Sequence, residues 1–227
     1  MVMTGRAMAE RSTRIFVVDD HPLVREWLAT LLNQQPDMVV VGEAEDMAGA
    51  LAGVAKSPPD VAIVDISLKG ASGIDLIRAI KAAAPRVEVV VLSMHDERLY
   101  AERAIRAGAR GYITKRETAR KLVAAVRRVR EGRLYVSDEM ASLFAERFLE
   151  GAKQDAASPV ALLSDRELDV FSQLGEGRET RQIAERLNVS IKTVQSYCAR
   201  IKEKMRLASA VELLREAVLW RERQGTE

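Results

Sequence analysis

Cysteine is almost missing from this chain of 227 residues: Cys198 stands alone. No intrachain disulfide can form. With only His21 and His95 beside that cysteine, the ligands of a Cys/His zinc site are lacking. The scarcity suits a reducing cytoplasm, where the protein is expected to reside. Excess charge of one sign is missing too. There are 35 Lys and Arg against 33 Asp and Glu, a net charge of +2, so no global field announces a nucleic acid or a membrane. No stretch approaches the roughly 20 apolar residues that span a bilayer, and no membrane partner is expected. Residues 1–13 lack the apolar core of a signal peptide and read as a frayed tail. Internal repeats and low-complexity tracts are absent as well.

What is present is alternation. From Arg14 to Glu131, apolar β-rich runs near 14–19, 38–44, 60–65, 87–92 and 110–113 alternate with helical stretches. One such helix carries the stripe Leu23, Trp27, Leu28, Leu31 and Leu32. Turn signals such as Gln35-Pro36-Asp37 and Ser57-Pro58-Pro59-Asp60 separate the units. Five strand–helix units predict an α/β domain with a parallel five-stranded sheet covered on both faces. A helix is expected near 138–149. The polar run Glu150–Pro159 reads as a linker. From Val160 onward there are no strand-like runs. Ser164-Asp165-Arg166-Glu167 fits a capping box, and helices are expected near 164–175, 180–187, 191–205 and 209–221. The predicted organisation is a tail over 1–13, an α/β domain over 14–131, a helix and linker over 132–159, an all-α four-helix domain over 160–222 and a tail over 223–227.

Reactive residues follow the strand runs. Asp19 and Asp20 end the first, Asp65 the third, Ser93 the fourth and Lys115 the fifth. Sites of parallel sheets lie outside the carboxyl ends of the strands, so these residues should converge. Three carboxylates suit Mg2+, a hard ion that wants oxygen ligands. It would sit between Asp20 and Asp65, with Asp19 closing the cage. A carboxylate aligned on a metal can attack phosphorus. Lys115 and Ser93 would then offset charge on the phosphoryl oxygens. His21 and His95 read as loop side chains beside the pocket.

These stretches resemble the receiver domain of two-component response regulators. The resemblance is carried by Val17-Val18-Asp19-Asp20-His21-Pro22-Leu23-Val24-Arg25-Glu26, Val64-Asp65-Ile66-Ser67-Leu68, Leu92-Ser93-Met94-His95-Asp96 and Ala107 to Lys115. It implies a flavodoxin-like (βα)5 fold over 14–131. It makes Asp65 the phosphoacceptor, and Asp19, Asp20, Asp65 and the Ser67 carbonyl the metal ligands. Ser93 and Tyr112 become the switch pair and Lys115 the invariant lysine. Lys69-Gly70 stands where the family usually has Pro-Gly, and Arg116 where proline is frequent; both touch loop geometry.

In the C-terminal part, Asn188-Val189-Ser190 sits between two helices at helix-turn-helix spacing. On the helix after the turn, Val194, Tyr197, Cys198, Ile201 and Met205 are expected to face the core, with Cys198 a buried, inert thiol. Lys192, Gln195, Ser196 and Ala199 lie on the opposite side, where they would meet base edges. From Arg186 to Arg206 six cations face one acid. The segment resembles the LuxR-type helix-turn-helix, through Leu163 to Val170, Gln182 to Ser190 and Lys192-Thr193-Val194. That resemblance implies double-stranded DNA as a partner, with Thr193, Tyr197, Arg200 and Lys204 on the DNA backbone. It also implies a homodimer formed through Val211, Leu214 and Val218 of the last helix. Gln195 and Tyr197 depart from the basic residue and histidine common there.

The combined expectation is a regulator that takes a phosphoryl group from a sensor histidine kinase and binds DNA, not a turnover enzyme. Two rivals stay open. One is an aspartyl-phosphate phosphatase or mutase, which usually spaces nucleophile and general acid two residues apart, whereas Asp19 and Asp20 are adjacent. The other is a phosphorylation-independent adaptor whose DNA-binding domain is degraded.

Overall fold

The computed structural model describes residues 12–68, 71–150 and 159–225. The expected tail residues 1–11, Lys69-Gly70, the linker residues 151–158 and residues 226–227 lie outside them. Contacts divide the chain into two units between Met140 and Ala141.

The first unit is built on strands β1 (Thr13–Val18), β2 (Met38–Ala44), β3 (Val61–Val64), β6 (Glu88–Ser93) and β7 (Gly111–Thr114). All pair in parallel, in the order β2-β1-β3-β6-β7. Side chains alternate between faces. Ile15, Val17, Val61, Ile63, Val90, Leu92 and Ile113 share one core. Helices α1 (Pro22–Asn33) and α5 (Ala119–Arg130) cover it through Leu28, Leu32, Leu122, Val126 and Val129. The alternate residues Phe16, Val18, Ala62, Val64, Val89 and Val91 are buried as well, on the face left for α2 (Met47–Lys56), α3 (Gly73–Ala83) and α4 (Glu97–Arg106). The Phe16 ring needs two glycines. A Cβ at Gly42 or Gly53 would lie 2.5 or 2.4 Å from its carbons.

Local signals start the helices. Pro22 opens α1. Asp46 and Asp96 cap α2 and α4 by accepting from Gly49 N–H at 2.7 Å and Arg98 N–H at 3.0 Å. The expected strands are found within one or two residues of their bounds.

Two pairings lie beyond the expected five units. After β3 the chain folds into a short antiparallel pair, β4 (Ser67–Leu68) and β5 (Ala71–Ser72). After α5, Tyr135 lies along the outer edge of β7. Its N–H donates to the Arg110 carbonyl at 2.8 Å, and its carbonyl accepts from Tyr112 N–H at 2.9 Å. Helix α6 (Asp138–Glu150) follows. Residues 132–140, placed from the sequence in the helix and linker segment 132–159, cluster with the sheet unit.

The second unit is helical: a 3-10 turn (Pro159–Leu162), α7 (Asp165–Gly175), α8 (Thr180–Arg186), α9 (Ile191–Met205) and α10 (Ala210–Gly225). The capping box is present. Ser164 Oγ accepts from Glu167 N–H at 3.4 Å, and Glu167 Oε2 accepts from Ser164 N–H at 2.7 Å. Asn188, in the turn before α9, has φ 51°, a left-handed conformation that asparagine tolerates. Gly175 lets α7 and α10 approach, since a Cβ there would stand 2.5 Å from the Ala217 carbonyl oxygen. Among the described residues no helix is long and apolar enough to cross a membrane.

Candidate functional site

The strand ends bring the expected residues together. Lys115 Nζ donates to Asp19 Oδ2 and Asp65 Oδ2, both at 2.6 Å. Asp19 and Asp65 are buried. Their other oxygens take backbone donors: His21 N–H to Asp19 Oδ1 at 2.9 Å and Ser67 N–H to Asp65 Oδ1 at 3.1 Å. Burial pushes the Asp65 carboxyl above the ordinary range; Lys115 opposes this, and the neighbouring Asp19 charge adds to it. Burial also works to discharge Lys115, but the two carboxylates outweigh it and hold the ammonium above its usual value. The pocket therefore holds a cation firmly and a poorly solvated carboxyl beside it. Poor solvation raises the reactivity of a carboxylate toward an electrophile.

Gly73 packs against the Asp65 backbone, a role the sequence reading did not assign. A Cβ on Gly73 would stand 2.1 Å from the Asp65 carbonyl oxygen and 2.6 Å from Ile66 Cα. Its N–H donates to the Ile66 carbonyl at 2.8 Å. Helix α3 can begin against the strand end only because residue 73 has no side chain.

Ser93 is fully buried, and its Oγ accepts from His95 N–H at 3.1 Å. Tyr112 is buried with its hydroxyl donating to the His95 carbonyl at 3.2 Å. Burial pushes its phenol far up, so it remains a neutral O–H donor. The expectation of a solvated His95 is corrected. Its ring lies 4.5 Å from that of Tyr100, and Nε2 is 2.7 Å from Ser67 Oγ. The Ser67 contact joins residues 28 positions apart, which no local pattern could reveal.

Asp19, Asp20, His21 and Asp65 offer ligand atoms that all lie within 4.8 Å of one another. Asp20 Oδ1 is buried and, among the described residues, meets only the His21 ring, whose Nδ1 lies 2.6 Å away. Three clustered carboxylates face one lysine, and a cation would offset the excess negative charge. The donor set thus fits a divalent metal ion. His21, expected to be a bystander, stands in the cluster.

In the second unit the exposed side of α9 carries Lys192, Gln195, Ser196, Ala199 and Arg200. Ser190 caps the helix by accepting from Thr193 N–H at 3.0 Å, and the Thr193 hydroxyl is 2.8 Å from Ser190 Oγ. The core stripe is narrower than expected. Val194 and Ile201 are buried, whereas Tyr197, Cys198 and Met205 are half-buried. Burial pushes the Cys198 thiol up, away from the reactive thiolate. On α10, Leu213 and Ala217 are buried, and Trp220 packs 5.4 Å from the Phe171 ring. Val211 and Leu214 are exposed, at 77% and 46%.

Two family profiles match: the response regulator receiver domain over residues 15–127, and the luxR family of bacterial regulatory proteins over residues 161–217. The oxygen regulatory protein NreC of Staphylococcus carnosus is 36% identical over 209 residues, 90% of this chain and 96% of that protein. The chain belongs to the LuxR-family response regulators. The fold of this response regulator agrees with solved relatives. RcsB from Salmonella enterica serovar Typhimurium, bound to promoter rprA with the phosphomimetic BeF3-, is 26% identical. That match covers 90% of this chain and 98% of RcsB, with a TM-score of 0.57. A LuxR-family regulator from Aurantimonas sp. SI85-9A1 is 34% identical, over 61% of this chain and 99% of its own, with a TM-score of 0.57.

The protein is therefore a two-component response regulator that controls transcription. Its partners are a histidine kinase and DNA, and dimerisation is typical of the family. Lys204, expected on the DNA backbone, is exposed and also pairs within its own unit. It donates to Glu167 Oε2 at 2.6 Å and to the Leu162 carbonyl at 3.2 Å. Burial acts to raise the Glu167 carboxyl, but Lys204 and the Ser164 donors outweigh it and hold it below its usual range. The helical wheel of α9 alone could not reveal this, because the partner comes from α7.

Proposed function

We propose that Asp65 is the phosphoacceptor. One of its carboxylate oxygens attacks the phosphorus of the kinase's phosphohistidine, the P–O bond forms, the P–N bond breaks, and the imidazole leaves. The observation that carries this reading is Lys115 Nζ at 2.6 Å from both Asp65 and Asp19. That arrangement places a fixed positive charge at the buried carboxyl where phosphoryl charge would arrive. Asp19, Asp20, Asp65 and the Ser67 carbonyl would hold Mg2+. The ion, when bound, supplies further neutralisation of the phosphoryl oxygens. Ser93 Oγ donates to a phosphoryl oxygen. In turning to it, Ser93 gives up its bond from His95 N–H. Tyr112, bonded to the same residue, repacks and alters the surface of α4 and β7.

The changed surface would govern pairing and DNA binding by the second unit. Lys192, Gln195, Ser196 and Ala199 face the bases. Thr193, Tyr197, Arg200 and Lys204 meet the backbone. Val211, Leu214 and Val218 form the dimer face, a role supported by the exposure of the first two. On this reading the protein works in the cytoplasm and catalyses its own phosphotransfer and dephosphorylation without being a turnover enzyme.

Intact mass after incubation with acetyl phosphate and Mg2+ tests the acceptor. A Mg2+-dependent adduct of about 80 Da in the wild type and none in Asp65→Asn is the expected result. An adduct that persists in the variant places the nucleophile elsewhere.

A further inference from the structure

Helix α5 (Ala119–Arg130) carries five cations, Arg120, Lys121, Arg127, Arg128 and Arg130, and no acid. The whole chain is close to neutral, at +2, so this charge is concentrated. Leu122, Val123, Ala125, Val126 and Val129 form the buried side of the helix, and all five cations are exposed. Lys121 pairs with Glu117 at 2.7 Å and Arg127 with Asp37 at 2.8 Å. Arg120 and Arg128 have no side-chain partner among the described residues. They share one side of the helix, two turns apart, with the small exposed Ala124 midway between them. Stability does not account for this row. Cations suit the last turn of a helix, but Arg120 stands in the first, where the dipole favours acids. The first turn of α5 has no acid. A polyanion laid on this side would offset that cost.

We propose that the exposed side of α5 is a second contact for double-stranded DNA, in which Arg120 and Arg128 bind backbone phosphates. Two observations favour DNA over an acidic protein. A stable protein interface is built on apolar anchors that become buried. None of the exposed large hydrophobic side chains lies between Arg110 and Arg133. Phosphate binding needs no such anchor, and the planar guanidinium meets a phosphate with paired donors. The spacing fits as well. Eight residues rise about 12 Å along a helix, close to the width of the major groove, so the two arginines can reach phosphates on its opposite rims. Ala124 leaves the space between them open. DNA is already a partner of this chain through its luxR-family unit. A duplex held there is kept at high local concentration for the first unit.

The full-length protein is titrated with a random-sequence duplex of about 40 base pairs over a range of salt, since non-specific binding is carried by phosphate contacts. Wild type is compared with Arg120→Gln/Arg128→Gln. The control is Lys56→Gln/Arg86→Gln, which removes the same charge from two exposed cations elsewhere on the first unit. Each lost phosphate contact lowers the slope of log affinity against log salt by about 0.9. The α5 variant should therefore lose about 1.8 in slope and bind roughly 10- to 100-fold more weakly at about 0.1 M salt, with the control little changed. Equal acetyl phosphate adducts in all three proteins would show that the first unit is intact. An unchanged slope in the α5 variant overturns the contact. So does an equal loss in the control, which assigns the effect to net charge, and so does a wild type that fails to bind the duplex at low salt. A photo-cross-linking residue in place of Ala124 identifies the occupant. A cross-link to the duplex is expected, and one formed only to a second copy of the chain overturns DNA in favour of an interface between copies.

Discussion

Each unit of this regulator contains a lysine 2.6 Å from a buried carboxylate, and the two pairs behave in opposite ways. Lys115 meets Asp65 in the sheet domain, and Lys204 meets Glu167 in the helical domain. The Asp65 carboxyl is pushed up and the Glu167 carboxyl is held down. The contact is the same, so the surroundings decide. Asp65 lies deep beside a second carboxylate, Asp19, that shares its lysine. Glu167 shares Lys204 only with the neutral Leu162 carbonyl and closes a capping box with Ser164. One arrangement leaves a carboxyl short of stabilisation and ready to react. The other ties the C-terminal end of α9 to the start of α7.

Breaking the first pair should produce the largest effect. Lys115→Met leaves two buried carboxylates without their cation, and about 3 kcal/mol of stability should be lost in denaturant titration, together with Asp65 phosphorylation. Gly73→Ala tests whether the reactive setting depends on backbone approach. The Cβ would collide with the Asp65 carbonyl, and a loss of about 2 kcal/mol is expected, with slower adduct formation in the intact-mass assay. Glu167→Gln removes the structural pair and half of a cap. About 1–2 kcal/mol should be lost, read as faster hydrogen exchange confined to the second unit.

The smallest effect is a difference in pH dependence. Glu167 has a folded value below its ordinary 4.5. The stability it contributes is present above 4.5 and is lost as pH falls through the folded value. Asp65 has a folded value above its ordinary 3.8. The native state then holds a proton that the unfolded chain has released, so stability falls as pH rises from 3.8 through the folded value. Hydrogen exchange across pH 3 to 6, read separately for the two units of the full chain, should show slopes of opposite sign from these groups. Asp65→Asn should flatten one slope, and Glu167→Gln the other.

Much of this was legible in the sequence, because the signals are local. Val61-Ala62-Ile63-Val64 is too apolar to be anything but a buried segment, and Asp65 directly after it had to lie at a strand end. Ser164 and Glu167 announce their helix by spacing alone. What stayed hidden depends on distance along the chain. His95 and Ser67 meet across 28 residues and Lys204 and Glu167 across 37. Gly73 carried no assigned role until the backbone it approaches was known. His21 looked like a loop histidine because nothing in its neighbours states where its ring turns. Tyr135 escaped because Leu134-Tyr135-Val136 is too short to show strand periodicity, and its partner is an edge set by the whole sheet.

Tyr135 also determines where this protein can be cut. A sheet edge with unpaired N–H and carbonyl groups recruits further strands, and in this regulator Tyr135 closes the edge at Arg110 and Tyr112. A fragment ended at Glu131, after the last helix of the five-fold repeat, would uncover that edge beside Tyr112. It would pair with its own copies and look like a dimer. A fragment carried through Met140 would keep that edge covered, so the choice of terminus alone could create or remove an edge-to-edge oligomer.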